Sequence, residues 1–272
     1  MPLRDFKKIT GKLAELNVKT IDIIGGEPTL HKDIIPIIEH AVNRGFGLNL
    51  SSNGTNPDTL AEIKQRFRKI NVGVSINDMT TFNRLKSFIS RHGLFAKTVF
   101  SNEIDTNLLK EIILSGTERF YLLYMDVMRK GDIDNAMPFL QFIISAQKIF
   151  KSPVINTVYC SGFIPDTASY PALSKTRCPA GTTKLGLMPD GTVYPCNLFF
   201  GLKEFRLGNL LHDAFEKIWN HKYLIFFRTF TGNTCPQTVC ILHETCHGGC
   251  PAHSLIHCGK LNSPEPRCNL RK

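Results

Sequence analysis

Nine cysteines carry the strongest chemical signal in this sequence: Cys160, Cys178, Cys196, Cys235, Cys240, Cys246, Cys250, Cys258 and Cys268. The first 159 residues contain none. Twelve residues separate Cys178 from Gly191, and four separate Gly191 from Cys196. Downstream the spacing runs Cys235-x4-Cys240-x5-Cys246-x3-Cys250, with Cys268 seventeen residues further on. Thiolates this close, set among Gly and Pro, can converge on a metal without regular structure around them. Disulfides fit less well, because the count is odd and the first residues show no apolar core of an export signal. Metal or cluster ligation is therefore the stronger reading. A structural zinc module from the same cysteines is the weaker one, and a buried thiol is the bland reading for any single cysteine.

A second constellation is Gly25-Gly26-Glu27-Pro28, between an apolar β-branched run and a helical pattern. Two glycines let backbone amides approach a ligand, and a helix N-terminus behind them favours negative charge. Glu27 adds a carboxylate for an ammonium, so the segment could grip a zwitterion such as an amino acid. A plain turn carrying a surface Glu competes equally. Ser52 and Asn53, in Ser51-Ser52-Asn53-Gly54-Thr55, could hydrogen-bond a ribose, and Ser75 and Asn77 end the next strand pattern. Helix capping is the plainer role for these residues. A rival motif, His243-Glu244-Thr245-Cys246-His247 with His253 beyond, matches the zinc-protease pattern. Gly248-Gly249 follows at once, which argues against the helix that motif needs.

The elements that must position these groups are legible from periodicity. Helical patterns cover residues 6–16, 33–43, 58–67, 80–90, 105–114 and 136–150, and short β-branched or apolar runs cover 20–24, 47–51, 70–76, 96–100 and 119–125. This βα rhythm calls for a parallel sheet with right-handed crossovers, and its regular short strands favour a partial barrel. In such folds chemistry gathers at the C-terminal strand ends, where Gly25, Ser52 and Ser75 lie. Arg84, Tyr124 and Asp126 are further candidates to line the mouth. Residues 151–272 change character, with Cys, Gly, Pro and turn residues dominating, so the domains are read as 1–150 and 151–272. That second part shows a hairpin at 187–194 and one helix at 211–227 around Trp219, the single tryptophan.

Composition bounds the partners. The 272 residues are 42% hydrophobic and 21% charged, as in ordinary globular proteins. No apolar run reaches the roughly 20 residues that span a bilayer. A soluble, cytoplasmic protein with no membrane partner is expected. The net charge of +10 is scattered without basic runs, which argues against nucleic-acid binding as the main function.

Together the Gly25-Gly26-Glu27-Pro28 turn, the Ser-Asn-Gly segment and the seven-cysteine tail resemble a radical S-adenosylmethionine protein with a SPASM domain, over nearly the whole chain. The segments around Leu207-Gly208-Asn209-Leu210 and from Trp219 to Arg228 share the likeness. The resemblance implies a partial (β/α)6 barrel for S-adenosylmethionine and a tail with two auxiliary [4Fe–4S] clusters. Gly25, Gly26, Glu27 and Pro28 would hold the methionine end of S-adenosylmethionine, Ser52 and Asn53 would lie near its ribose, and Ser75 is a weaker candidate. Cys178, Cys196 and Cys250 would ligate the first cluster. Its fourth ligand stays open, with Cys160 favoured over Cys258. Cys235, Cys240, Cys246 and Cys268 would ligate the second. In the family, Cys235 and Cys240 would enclose two residues rather than four.

The family's catalytic cluster is held by Cys-x3-Cys-x2-Cys after a first barrel strand, ahead of the Gly-Gly-Glu-Pro turn. Only 24 residues precede Gly25 here, none of them cysteine, and the first strand is expected to be missing. Three explanations stay open: part of a longer active enzyme, a truncated and inert product, or a working protein that keeps only the auxiliary clusters. The family reading implies an enzyme that modifies a peptide, protein or small molecule, with a peptide as first choice and an electron-donor protein as partner. The competing class is a non-catalytic electron-transfer or zinc-binding protein.

Overall fold

The computed structural model describes residues 1–149, 155–158, 176–233, 235, 240 and 243–268. Two compact units are present, residues 1–123 with 150–158, and residues 124–149 with 159–272.

In the first unit, helices and strands alternate: α1 (Leu3–Glu15), β1 (Thr20–Ile23), α2 (Ile34–Asn43), β2 (Gly47–Ser52), α3 (Pro57–Arg66), β3 (Asn71–Ser75), α4 (Met79–His92), β4 (Phe95–Phe100), α5 (Thr106–Leu114) and β5 (Phe120–Tyr124). A further strand, β6 (Ile155–Val158), pairs with β5. The six strands lie in sequence order across one sheet. β1 to β4 run parallel, as do β5 and β6. With right-handed crossovers, an order that never reverses puts the helices that connect β1 to β5 on the same face.

The alternation along the strands agrees. Leu48, Leu50, Val72, Val74 and Ala96 are buried on the helix-covered face, with Ile38, Leu60, Ile63 and Leu85 from the helices among the core residues. The opposite face carries Asp22, Asn49, Asn71, Ser75 and Lys97. There Asn71 Nδ2 donates to Asn49 Oδ1 at 2.8 Å, and Asn49 Nδ2 donates to Asp22 Oδ1 at 2.6 Å. Helix ends are set locally. Asp78 accepts the Thr81 N–H at 2.7 Å to start α4, and Gly93 at φ 58° ends it.

All five strand runs expected from the sequence form. β6 was not expected: it lies beyond residue 150, where the composition shift draws the eye to a new domain. The sheet therefore has six strands where five were counted.

The second unit begins with α6 (Asp132–Asn135) and α7 (Phe139–Ile149). Its later part holds a three-stranded antiparallel sheet of β7 (Gly186–Leu187), β8 (Thr192–Tyr194) and β9 (Gly208–Asn209). Gly191, at φ 85°, turns β7 into β8, as the Pro-Asp-Gly signal predicts. The continuous helix expected over 211–227 is instead two short ones, α8 (Phe215–Trp219) and α9 (Tyr223–Thr229). Two local bonds explain the late start. Asp213 accepts the Asn209 N–H at 2.8 Å, and Asn209 accepts the Leu211 N–H at 2.8 Å, so a turn occupies the first residues.

Arg228 holds the break between α8 and α9. It donates to the Trp219 carbonyl at 2.6 Å and the Gly181 carbonyl at 2.8 Å, and its guanidinium lies 4.4 Å from the centre of the Trp219 ring. Arg228→Ala is expected to destabilise the protein by about 2 kcal/mol, the worth of hydrogen bonds from a charged donor. Urea unfolding followed by Trp219 fluorescence measures this directly.

Candidate functional site

The turn after β1 is built around Glu27. Gly25 (φ 89°) and Gly26 (φ 51°) both take left-handed conformations, and a side chain added at either would meet open space. The backbone there is bare for a ligand, while its conformation needs glycine. Glu27 Oε1 accepts the Thr29 N–H at 3.1 Å, the Thr29 hydroxyl at 2.7 Å and the Ser52 hydroxyl at 2.8 Å. Oε2 accepts the Asn53 N–H at 2.6 Å. The carboxylate thus clasps the β1 turn to the end of β2. Oε2, with a single donor, is the oxygen with capacity left for a ligand ammonium. Partial burial would raise the Glu27 pKa, but the bonds from Asn53, Thr29 and Ser52 outweigh it and hold the carboxyl below its ordinary value.

The neighbouring candidates divide. Pro28 is buried at the start of a short 3-10 turn, Pro28–Leu30. Ser52 is buried and also accepts the Gly54 N–H at 3.0 Å, whereas Asn53 is exposed and accepts the Thr55 N–H at 2.9 Å. Ser75 lies half-buried on the polar face of the sheet, and Asn77 accepts the Val99 N–H at 3.0 Å. Arg84 donates to the Gly54 carbonyl at 2.9 Å, so it braces this turn rather than lining a mouth.

Lys97 is a candidate for the site that sequence reading missed. It pairs in register with Ser75, and its stem lies over Gly73, where an added side chain would begin 2.9 Å from Lys97 Cδ. Burial pushes the ammonium down to about 8, against the pull of Glu27. The signal was available: a lysine alternating in a strand otherwise of Phe, Ala, Thr and Val. Glu27 and Lys97 supply opposite charges on one unit, the pair a zwitterion requires.

In the second unit one cysteine, Cys246, has three others near it. Burial pushes the Cys246 thiol up to about 11, and the neighbouring thiols of Cys240, Cys268 and Cys235 push it further. These four are the proposed ligands of the second cluster, and they lie close enough to feel one another. Cys178 and Cys250 are buried and Cys196 is half-buried. Cys160 lies outside the described residues. Cys258 is exposed near the end of α11 (Pro251–Cys258). Among the described residues no three His, Cys, Asp or Glu side chains converge tightly enough for a single metal ion.

The His-Glu-x-x-His segment does not form a protease helix. α10 covers only His243–Cys246, and His247 leaves it at φ 48°. The His247 ring is buried, and its Nε2 has no hydrogen-bond partner among the described residues. Burial, Arg177 and His243 push its pKa down to about 4.

His253, a conceivable zinc ligand by sequence, instead joins a buried ionic cluster. Glu265 Oε1 accepts from Arg267 Nε at 2.6 Å, and Glu265 Oε2 accepts the Cys250 N–H at 3.1 Å. Arg267 Nη1 donates to the Met125 carbonyl at 2.5 Å, and Nη2 lies 2.8 Å from His253 Nδ1. A guanidinium only donates, so Nδ1 accepts and the ring proton sits on Nε2, 3.0 Å from Asp126 Oδ1. That last contact is a close polar approach rather than an aligned hydrogen bond. Tyr124 is buried, donates to the Met137 carbonyl at 2.8 Å, and faces the Arg267 guanidinium at 4.1 Å. It is therefore a core residue rather than part of a mouth. Burial alone would raise Glu265, but the Arg267 guanidinium holds its carboxyl well below the usual range.

The chain thus joins a singly wound α/β sheet carrying a Gly-Gly-Glu-Pro turn to a cysteine-rich region. Residues 178–251 match the SPASM iron–sulfur cluster-binding domain. Among curated proteins the chain is 25% identical over 283 residues to the antilisterial bacteriocin subtilosin biosynthesis protein AlbA of Bacillus subtilis, covering 91% of this chain and 60% of AlbA. It is 21% identical over 297 residues to the PqqA peptide cyclase of Methylocella silvestris, covering 97% and 78%. The fold matches Streptococcus suis SuiB bound to S-adenosylmethionine with a TM-score of 0.71 at 18% identity, covering 99% of this chain and 70% of SuiB. SuiB has also been solved with its precursor peptide SuiA. The chain thus spans about three fifths of the length of AlbA. No helix among the described residues is long and apolar enough to cross a membrane.

Glu27→Gln keeps the size but turns one acceptor oxygen into a donor. It is expected to loosen the turn, speeding amide exchange at Thr29 and Asn53 by about tenfold, the equivalent of roughly 1.4 kcal/mol. In the native protein, protection of these amides holds above the ordinary carboxylate range. It is lost as pH falls through the lowered Glu27 pKa, because protonation removes the acceptor charge.

Proposed function

We propose that this chain provides the S-adenosylmethionine-binding and auxiliary-cluster parts of an enzyme that modifies a peptide. The observation that carries the reading is the cluster-binding match over 178–251, joined to the fold that SuiB shares. A peptide substrate is supported by the relatives: a bacteriocin biosynthesis protein, a peptide cyclase, and SuiB bound to a precursor peptide. An electron-donor protein completes the set of partners.

In this reading the Gly25 and Gly26 backbone and Glu27 Oε2 receive the amino end of the methionine moiety, with Pro28 fixing the turn behind them. Lys97 receives the carboxylate. Ser52 and Asn53 lie toward the ribose, and Ser75 is a weaker contact. Cys178, Cys196 and Cys250 hold a first [4Fe–4S] cluster, with Cys160 the favoured fourth ligand. Cys235, Cys240, Cys246 and Cys268 hold a second. When bound, the clusters supply one-electron transfer and S-adenosylmethionine supplies a 5′-deoxyadenosyl radical. The reduction that releases that radical is assigned to no residue of this chain. What this chain does is grip a zwitterion by opposite charges and hold two sets of thiols.

The test is iron, sulfide and zinc analysis of anaerobically purified protein, together with S-adenosylmethionine binding by calorimetry. About eight irons per chain with broad brown absorption support the reading. Zinc without iron overturns it. Lys97 gives the binding a pH signature. Its ammonium is charged below about 8 and neutral above, so affinity is full at lower pH and falls as pH rises through that value. Lys97→Arg, charged throughout, is expected to flatten the profile. Lys97→Ala is expected to weaken binding at least tenfold at neutral pH, about the 1.4 kcal/mol of one charge-assisted contact.

A further inference from the structure

The buried Glu265–Arg267 pair is used by no step above. Glu265 is 2% exposed and Arg267 3%. Such a pair costs several kcal/mol to desolvate, and replacing it by apolar residues of similar shape is often neutral. Stability alone therefore does not explain it. Its position is more informative. Glu265 takes the N–H of Cys250, so that amide is turned away from the sulfurs of any cluster. Gly249, at φ 93°, has no side chain because Glu265 fills the place, its Oε2 lying 2.3 Å from where a Cβ would stand. Arg267 is fixed by the Met125 carbonyl, the Tyr124 ring and the His253 ring, and the next residue is Cys268. Two opposite charges are thus immobilised against the backbone of thiols assigned to clusters, where a low dielectric makes each charge act strongly.

We propose that Glu265 and Arg267 position Cys250 and balance the charge beside it, and so set the reduction potential of the iron–sulfur cluster that Cys250 ligates. The proposal rests on the cluster reading above. An electron added to a cluster is disfavoured by a nearby carboxylate and favoured by a nearby guanidinium. Present together, the two largely cancel. Removing either one exposes the other, and the two deletions must shift the potential in opposite directions. A purely structural role would move it in no particular direction, or in the same one.

The experiment is an anaerobic redox titration of the whole chain, followed by electron paramagnetic resonance. Glu265→Gln is expected to favour the reduced cluster at least tenfold, and Arg267→Gln to disfavour it by as much, each about 59 mV for one electron. The double variant Glu265→Gln/Arg267→Gln, which leaves no unpaired buried charge, returns toward the native potential. Asp126→Asn, at a 41% exposed carboxylate beside His253, gives a smaller shift in the Glu265→Gln direction. If the single variants fail to fold, Asp126→Asn decides by its sign: a shift favouring the reduced cluster supports the proposal, and an unmoved or opposite one overturns it. Native protein with clusters, and variants whose potentials stay unmoved or move together, overturns this proposal alone. Native protein without iron overturns the cluster reading and this proposal with it.

Discussion

Thiols brought together repel one another once they ionise, and the second unit is organised around that cost. Burial is the main reason the Cys246 thiol is raised, and the nearby thiols of Cys240, Cys268 and Cys235 add to it. Uptake of a cluster must release protons and relieve the repulsion at once, so ligation and folding are linked. The glycines around these thiols follow from the same constraint. Asn233 donates its N–H to the His247 carbonyl at 2.7 Å, and a side chain on Gly248 would begin 2.4 Å from the Asn233 carbonyl. Only bare backbone at Gly248 lets Asn233 lie against the turn between Cys246 and Cys250.

The two units solve an anchoring problem with the same device. Glu27 and Glu265 each use a carboxylate to capture backbone N–H groups, one from Thr29 and Asn53, the other from Cys250 and Arg267. Each sits with glycine, Gly26 immediately before Glu27 and Gly249 packed against Glu265. The two differ in what offsets burial. Glu27 is half-buried and satisfied by neutral donors, which leaves an oxygen to share. Glu265 is buried and needs the full charge of Arg267, which leaves nothing to share. The first arrangement suits a ligand site and the second suits a fixed support.

Much of this was legible in the sequence, and the parts that were not have a common cause. Period-two and period-3.6 patterns mark β1 to β5 and the helices between them because burial on one face is a local property of the chain. The cysteine spacing marks the second unit for the same reason. β6 escaped because the composition changes around it and draws residues beyond 150 into a separate domain. The helix expected over 211–227 starts late because Asn209 and Asp213 bond to nearby backbone, a competition that apolar spacing does not register. Arg84 and Tyr124 read as candidate mouth residues, yet one braces a turn and the other is core. Their partners, Gly54 and Arg267, lie 30 and 143 positions away, beyond any window.

Lys97 shows how such long-range partners can still leave a trace. A strand residue facing away from the helices is free to be polar, and the polar face runs from Asp22 through Asn49 and Asn71 to Ser75 and Lys97. A lysine stem crossing that face needs room on the neighbouring strand. Gly73, which would otherwise weaken β3, provides it. Glycine within a strand and lysine within the next strand are each unfavourable choices when considered alone. Taken together they place one half-buried, pKa-lowered ammonium within the electrostatic reach of Glu27. The conflict between local propensity and observed residue thus singles out this polar face of the sheet.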